Sequence, residues 1–310
     1  MFARFNLKTN RDFNETSPLI HSSLLNKMDY LAEYAAELDE WETIRFPKEA
    51  IRKDDSLDYY FIGQKIYSKM KKQINKSLDN YIGVNGIING SELQADWFPS
   101  IEADIFLSHS HKDENLAIKF AGWLYYKFGL ITFIDSCIWS YSDDLLKKID
   151  EKYCKNKKRK IYYYDTRNIS TSHVHMMLMN ALMKMIDKSE CVFFLNTDNS
   201  TIKTKEEIDK NIEKTYSPWI YSEINATNLI RRKPLCPKER NRGNVSYSLY
   251  KYVDDFFIMD HTVNLSEMYE INDDVLSSWE KSNIDSNGYL TKEVIGIRAL
   301  DELYKLTLNK

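Results

Sequence analysis

The chain has 310 residues, of which 43% are hydrophobic and 29% charged, a balance typical of a folded globular protein rather than a disordered one. Its formal net charge of −3 creates no global field that would favour nucleic acid or an anionic membrane as a partner. Glycine (9) and proline (6) are scarce, which argues against a loop-rich all-β fold and favours helices with short connections.

The sequence contains no signal for secretion or membrane insertion. The N-terminal segment lacks the apolar core of a signal peptide, and no apolar run is long enough to span a bilayer. Four widely spaced cysteines without a C-x-x-C pair are typical of buried thiols in a reducing compartment. We therefore expect a cytoplasmic protein with no membrane partner and no disulfide framework.

Residues 1–100 are predicted to form a helical N-terminal region of unknown role. Apolar residues recur at helical spacing in 17–44, and a second helix is predicted within 55–82. Glycines and a proline in 84–100 indicate turns and a linker. We place a domain boundary near residue 100.

Beyond this boundary, short apolar segments alternate with amphipathic ones, which is typical of an α/β domain with a parallel sheet. Ligands of such sheets bind at the carboxyl ends of the strands. We assign the domain to 101–265 and a C-terminal helical extension to 266–310. The predicted strands are 103–108, 130–135, 190–196 and a late one at 252–259, and the predicted helices are 114–128, 143–153, 173–186 and 217–230.

The segment DIFLSHSHKD, residues 104–113, leads from a strand directly into a helix. The free N–H groups and positive dipole end of that helix form a natural seat for phosphate. Lys112 and the hydroxyl groups of Ser108 and Ser110 add donors there. The alternative is that Ser110 or Asp113 simply caps the helix.

Two further segments pair a tryptophan with an acid. In FIDSCIW, Asp135 ends the second strand, and Trp139 either stacks on an aromatic ring or covers the core. In YSPWIYSEI, Glu223 lies one helical turn after Trp219, so both occupy one side of the helix. The acid is either solvated, as most helical acids are, or it lies near the buried face and must be paired or used.

Metal and nucleic-acid motifs are weak. The HSH and HVH segments, 109–111 and 173–175, hold four of the six histidines, but no acid or cysteine flanks them at ligand spacing. The basic runs at 155–160 and 231–233 lack an aromatic stripe, which favours solvated loops. We expect neither a metal site nor a nucleic-acid partner.

Four segments in this order resemble a TIR (Toll/interleukin-1 receptor) domain. They are DIFLSHSHKD for the first box of the family, FIDSCIW after the second strand, ECVFFLN for the later core strand and SPWIYSEI for the W-x-x-x-E helix. The resemblance covers 103–265 and implies a flavodoxin-like fold with an insertion around 140–170. Residues 1–100 lie outside this resemblance.

TIR domains divide into scaffolds and enzymes that cleave NAD⁺ at the nicotinamide–ribose bond. FIDSCIW and SPWIYSEI are most similar to the bacterial Thoeris branch of antiphage defence, in which the acid after the tryptophan is catalytic; this implies Glu223 as the catalytic residue. Many enzymatic TIR domains instead place a glutamate at the start of the helix before the later core strand. Here that helix, HVHMMLMNALMKMI, contains no acid, and the matching position falls near Leu178.

The resemblance therefore implies an NAD⁺ glycohydrolase or cyclase that makes an ADP-ribose-type signalling nucleotide. NAD⁺ is the substrate, and no other cofactor is expected. Implied partners are further copies of the TIR domain, a downstream effector that senses the product, and a phage-derived trigger. The implied substrate-binding residues are Ser108, His109, Ser110, Lys112, Asp135, Trp139 and Trp219.

Two alternatives remain open. One is a non-enzymatic TIR scaffold that acts through TIR–TIR assembly, with the N-terminal helices as an adaptor. The other is an enzyme similar to nucleoside deoxyribosyltransferases, which share the sheet type and use a nucleophilic glutamate.

Overall fold

A five-stranded parallel sheet runs through the centre of the structure. The computed structural model describes residues 3–14, 58–70, 78–83, 87–156, 159–202, 213–230, 259–282 and 296–308. The strands within these ranges are β1 (Ala3–Leu7), β2 (Ile105–Ser108), β3 (Thr132–Ile134), β4 (Lys155–Asn156), β5 (Ile161–Tyr162), β6 (Cys191–Leu195), β7 (Glu213–Thr215), β8 (His261–Val263) and β9 (Tyr269–Ile271). The order across the central sheet is β3-β2-β6-β1-β9, and every neighbouring pair is parallel.

Helices pack on both sides of this sheet. Those in the described ranges are α1 (Tyr59–Met70), α2 (Gly90–Trp97), α3 (Glu114–Phe128), α4 (Ser136–Ile149), α5 (Tyr164–Lys188), α6 (Pro218–Leu229), α7 (Asp273–Ser282) and α8 (Ile297–Leu308). A short π-helix, Asp150–Cys154, continues α4. None of the described helices combines the length and hydrophobicity needed to cross a membrane.

The register of the strands determines which side chains face which helices. Ser108 on β2 lies opposite Phe194 on β6, so both point to the same face of the sheet. Phe194 packs there against Ile220 and Ile224 of helix α6. On the other face, Phe193 contacts Phe120 of α3 at a ring-centroid distance of 5.7 Å. Ser108 is thus directed towards α6.

The predicted alternation of strands and helices is confirmed at the level of an α/β fold. The predicted strands at 103–108, 130–135 and 190–196 contain β2, β3 and β6, and the predicted helix at 114–128 is α3. The predicted helix at 17–44 and late strand at 252–259 lie outside or almost wholly outside the described residues.

Two local predictions for the first hundred residues are wrong. Ala3–Leu7 is not helical but forms strand β1, which pairs with β6 on one side and β9 on the other. The segment 84–100 is not only a linker, because it contains helix α2, whose first turn is capped by the Asn89 side chain accepting from Glu92 N. The central sheet thus includes strands from all three predicted regions of the chain.

Helices α1 and α3 cross at very short range because each has a glycine at the contact. A Cβ atom on Gly122 would lie 2.0 Å from the carbonyl oxygen of Tyr59, and one on Gly63 would lie 1.9 Å from that of Ile118. Both obstacles are backbone atoms, which do not rotate away as a side chain does. The pair of glycines therefore allows the close contact that holds α1 against α3.

Replacing Gly122 with alanine should destabilise the protein by about 2 kcal/mol or more, because the helices must separate to accept the methyl group. This loss exceeds the gain of up to about 1 kcal/mol in helix propensity. Chemical denaturation measures the difference. The matched control is Gly90→Ala in α2, where an added Cβ meets no atom within 4 Å. Equal stability of the two variants would contradict the close crossing.

Candidate functional site

Glu223 is buried where helix α6 meets the carboxyl end of strand β2. Its side chain is only 1% exposed, and its Oε2 accepts a hydrogen bond of 2.6 Å from the hydroxyl group of Ser108. Helix α6 begins at Pro218, and the Ser217 hydroxyl accepts from Ile220 N to cap its first turn. Of the two orientations considered for Glu223, solvated or facing the interior, the structure has the buried one.

Asp135 and His109 complete the cluster around Glu223. Both are 0% exposed, and His109 Nδ1 lies 2.6 Å from Asp135 Oδ1. Asp135 directly follows β3, the neighbour of β2, so adjacent strand ends bring these groups together. The ring N–H is not aligned with the carboxyl oxygen, so this short contact is not a well-directed hydrogen bond. We call Ser108, His109, Asp135 and Glu223 the carboxyl cluster.

Burial changes the protonation of all three titratable members of the carboxyl cluster. Burial lowers the pKa of His109 to about 4, with Glu223 as the main opposing influence, so the imidazole is neutral at pH 7. Burial also raises the pKa of Asp135 well above its usual value. The pKa of Glu223 is raised by burial and further by Asp135, while the Ser108 hydrogen bond opposes the rise. The two carboxyl groups therefore retain protons more readily than exposed carboxyl groups do.

Buried polar atoms without a well-formed hydrogen bond are concentrated at this site. Of the twelve such side-chain atoms in the described part of the chain, seven belong to His109, Asp135, Ser136, Trp139 and Glu223. Leaving a buried polar atom unsatisfied costs about 1–3 kcal/mol, so such groups are rare in folded proteins and often mark functional sites. This concentration of buried polar atoms makes the carboxyl cluster a candidate functional site.

Aromatic rings lie beside the carboxyl cluster. Trp139 is stacked on His109, with 5.7 Å between ring centroids, and contacts exposed His111 at the same distance. Trp219, one turn before Glu223 in α6, meets His175 edge-on at 5.5 Å. Both tryptophans are partly exposed and also pack against the hydrophobic core. Trp139 therefore covers part of the core and also stacks on His109, while its predicted role as a substrate-binding residue stays a prediction.

Among the described residues, no side-chain hydrogen bond or ion pair joins Ser110 or Lys112, two of the other predicted binding residues, to the carboxyl cluster. Ser110 is buried at the start of a short 3₁₀ turn, and Lys112 is exposed within that turn. The alternative role of Ser110 and Asp113 as side-chain helix caps is wrong, since neither makes such a hydrogen bond. Asp113 instead accepts hydrogen bonds from Thr197 and Asn199, which ties this loop to the one after β6.

His175, the second histidine of the HVH segment, lies beside a tryptophan ring. It projects from α5 towards Trp219, and burial lowers its pKa while the nearby Asp143 of α4 opposes the shift. Asp143 follows Trp139 by one helical turn. In the sequence, the helical spacing of Trp139 and Asp143 indicates that both lie on one side of a helix. The meeting of α4, α5 and α6 around His175 depends on tertiary contacts and cannot be seen in the sequence. Among the described residues, no three or more histidine, cysteine, aspartate or glutamate side chains are arranged so that they could hold a metal ion.

Comparison with known proteins provides no relative from which to transfer a function. No family model, curated protein or solved structure matches the chain. The TIR resemblance therefore stays a prediction from the four sequence segments, and the site is interpreted from its own geometry.

Replacing either buried carboxyl group with its amide should stabilise the protein at neutral and alkaline pH. A carboxyl whose pKa is raised on folding contributes stability below its unfolded pKa, and that stability is lost as pH rises through the folded pKa. Glu223→Gln and Asp135→Asn avoid this loss while keeping similar shapes. Each kcal/mol gained should raise Tm by roughly 2–4 °C.

Thermal unfolding between about pH 4 and pH 8 tests this expectation. The advantage of each variant over the wild type should be largest at pH 8 and shrink towards pH 4. The neutral His109 makes a contribution of opposite sign, which is lost as pH falls. Glu223→Gln removes a charge that raises the pKa of His109, so it enlarges this loss at low pH and strengthens the expected trend. A difference in Tm that is independent of pH would show that the two carboxyl groups titrate normally.

Proposed function

We propose that this protein cleaves the bond between nicotinamide and ribose in NAD⁺, with Glu223 as the catalytic carboxyl group. The observation that carries the proposal is the burial of Glu223 beside Asp135 at the carboxyl edge of a parallel sheet, held by Ser108. Ligands of such sheets bind at this edge, next to the point where the strand order reverses. Buried carboxyl groups with strongly raised pKa values are candidates for catalysis.

The topology supports the choice of this edge. From β2 the chain passes outwards to β3 and then returns to β6 on the opposite side of β2. The strand order therefore reverses between β2 and β6, and Ser108 is the last residue of β2. Open α/β sheets bind ligands next to such a reversal, which supports a binding role for the position that Glu223 occupies.

The chemistry requires a group that stabilises positive charge on a sugar. The bond between C1′ of the ribose and the ring nitrogen breaks, and its electron pair leaves with nicotinamide, which becomes neutral. Positive charge develops on C1′ and the ring oxygen, where an ionised Glu223 stabilises it. Water then adds to C1′ and loses a proton, giving ADP-ribose; an internal nucleophile of the same molecule gives a cyclic product instead.

The raised pKa of Glu223 places a condition on this step, because the carboxyl group must be ionised to stabilise a cation. The nicotinamide ring of NAD⁺ carries a positive charge, and a cation near a carboxyl group lowers its pKa. Substrate binding therefore favours the ionised form of Glu223. Since Glu223 is only 1% exposed, contact with the ribose also requires neighbouring side chains to move. The structure corresponds to a closed, resting form in this proposal.

The aromatic residues fit the two planar rings of the substrate. Trp139 with His109, and Trp219 with His175, provide ring surfaces on helices α4 and α6 close to the carboxyl cluster. Stacking on such rings orients a planar group without requiring a charge. By its resemblance to Thoeris-type TIR domains, we propose further that the product is a signalling nucleotide sensed by an effector in antiphage defence, and that the domain self-associates.

Glu223→Gln should reduce the release of nicotinamide from NAD⁺ by about 100-fold or more, because the amide cannot stabilise the cationic sugar. Chromatography of the products measures this. The matched control is Glu190→Gln, which changes a buried glutamate that directly precedes β6 at the opposite edge of the sheet. Circular dichroism of both variants verifies that they fold.

Full turnover by Glu223→Gln would rule out its catalytic role. Base exchange with deoxynucleosides, in place of NAD⁺ cleavage, would favour the deoxyribosyltransferase-like alternative. Because assembly often controls such enzymes, the assay is run both with dilute protein and with protein concentrated by a crowding agent. Absence of any reaction in both conditions would favour the scaffold.

The pH dependence of the reaction should report the ionisation of Glu223. Activity should rise with pH along a limb that lies above the usual range of a glutamate, since burial and Asp135 raise the pKa of Glu223. Asp135→Asn removes the neighbouring negative charge and should move this limb to lower pH. A limb at the same pH in wild type and Asp135→Asn would contradict the coupling.

A further inference from the structure

A short hairpin projects from the α/β core between helices α4 and α5. Strands β4 and β5 form its antiparallel arms, and its base is fixed by buried Asp150 at the end of α4. Asp150 accepts a hydrogen bond of 2.5 Å from the Ser170 hydroxyl and one of 2.9 Å from Arg167 Nε. Tyr163 N also donates to Cys154 O at 2.8 Å. The hairpin thus has a defined attachment to the core.

Most of the exposed large hydrophobic side chains of the described structure lie on this hairpin and on the helical ends that flank it. Nine such residues are exposed, and six of them lie between residues 153 and 169. Four of the six are tyrosines, including Tyr163, which is 52% exposed, and Tyr164, which is 66% exposed. A cluster of exposed aromatic rings on an anchored element indicates an interaction surface.

The same hairpin is strongly basic although the whole chain is not. Residues 151–167 contain seven lysines and arginines against two acids, whereas the whole chain has a net charge of −3. Lys155, Arg159 and Lys160 are exposed and, among the described residues, form no ion pair. Lys155 Nζ and Arg167 Cζ lie 5.8 Å and 5.6 Å from the ring centre of Tyr162. Cations therefore lie beside an exposed tyrosine ring, and we call residues 153–156 and 159–169 together the tyrosine hairpin.

We propose that the tyrosine hairpin binds single-stranded nucleic acid. Phosphate groups meet the lysine and arginine side chains, and unpaired bases stack on the exposed tyrosine rings. Such binding depends on backbone charge and ring faces, so it is tolerant of sequence. The proposal departs from the expectation that these basic residues only form a solvated loop, because the structure exposes aromatic rings beside them.

The surface is less suited to a membrane. The two-residue arms of the hairpin leave backbone N–H and C=O groups at their edges, and these find no partners in hydrocarbon. Tyrosine keeps its hydroxyl group in water, whereas surfaces that insert into a bilayer are rich in tryptophan, phenylalanine and leucine. An acidic peptide satisfies the cations but provides no flat rings for the tyrosines. A single strand of nucleic acid satisfies both.

Binding of a fluorescein-labelled oligothymidylate of about 12 nucleotides, followed by anisotropy with the full chain, tests the proposal. The Tyr163→Ala and Tyr164→Ala variants should each bind about tenfold more weakly, with the salt dependence unchanged. The matched control is Tyr216→Ala, which removes a ring that is 58% exposed outside the hairpin and should bind as the wild type does. Thermal unfolding should be similar for all of these exposed substitutions.

The charge component is tested by the double variant Arg159→Ala with Lys160→Ala between about 50 and 200 mM salt. The slope of log Kd against log salt should decrease by about 1.4, since each phosphate contact contributes about 0.7 for single strands. Arg298→Ala, an exposed arginine of α8, is the charge control and should leave the slope unchanged.

Three results would overturn the proposal. The first is no oligonucleotide binding at low salt, and the second is equal weakening by Tyr216→Ala. The third is competition by polyglutamate, or binding to phosphatidylglycerol vesicles, that is as strong as oligonucleotide binding and insensitive to the tyrosine substitutions. The assay requires no catalysis, so its outcome is independent of the NAD⁺ proposal.

Discussion

The hydrogen bond from Ser108 to Glu223 joins the last residue of a central strand to helix α6, and the arrangement of the candidate site depends on it. It holds a carboxyl group in the interior, next to a second buried carboxyl group, Asp135. Two such groups cannot both ionise without water or a cation nearby, so burial and mutual repulsion raise their pKa values. In the proposed reaction, a cationic substrate lowers these pKa values and favours release of the proton from Glu223.

Contacts with two strands of the central sheet, β6 and β1, hold α6 where Glu223 can accept the hydrogen bond from Ser108. Near its start, Ile220 and Ile224 pack on Phe194 of β6. Near its end, Asn228 accepts a hydrogen bond of 2.7 Å from Arg4 of β1. The N-terminal strand, separated from α6 by more than two hundred residues, therefore helps to fix the helix that carries Glu223. This dependence connects the start of the chain with the function proposed for its centre.

Sequence reasoning identified the elements whose local pattern matches their environment. The buried strands β2, β3 and β6 are short apolar runs, and Glu223 follows Trp219 at helical spacing, so both were predictable. The central position of strand β1 was not predictable. Its apolar residues alternate with Arg4 and Asn6, which is typical of a strand with one face in water rather than of a strand buried on both faces. Both polar residues are buried, and Arg4 donates a hydrogen bond to Asn228, a partner distant in the sequence. The His175–Trp219 contact is likewise tertiary and has no local signature.

The central claim is that Glu223 titrates abnormally because it is buried beside Asp135. Carbon-13 NMR of the labelled side-chain carboxyl groups, with Glu223→Gln to assign the signal, measures this directly. The account predicts that the Glu223 carboxyl signal titrates well above the usual range of glutamate and that this midpoint falls in Asp135→Asn. A Glu223 signal that titrates in the range of an exposed glutamate would contradict the account.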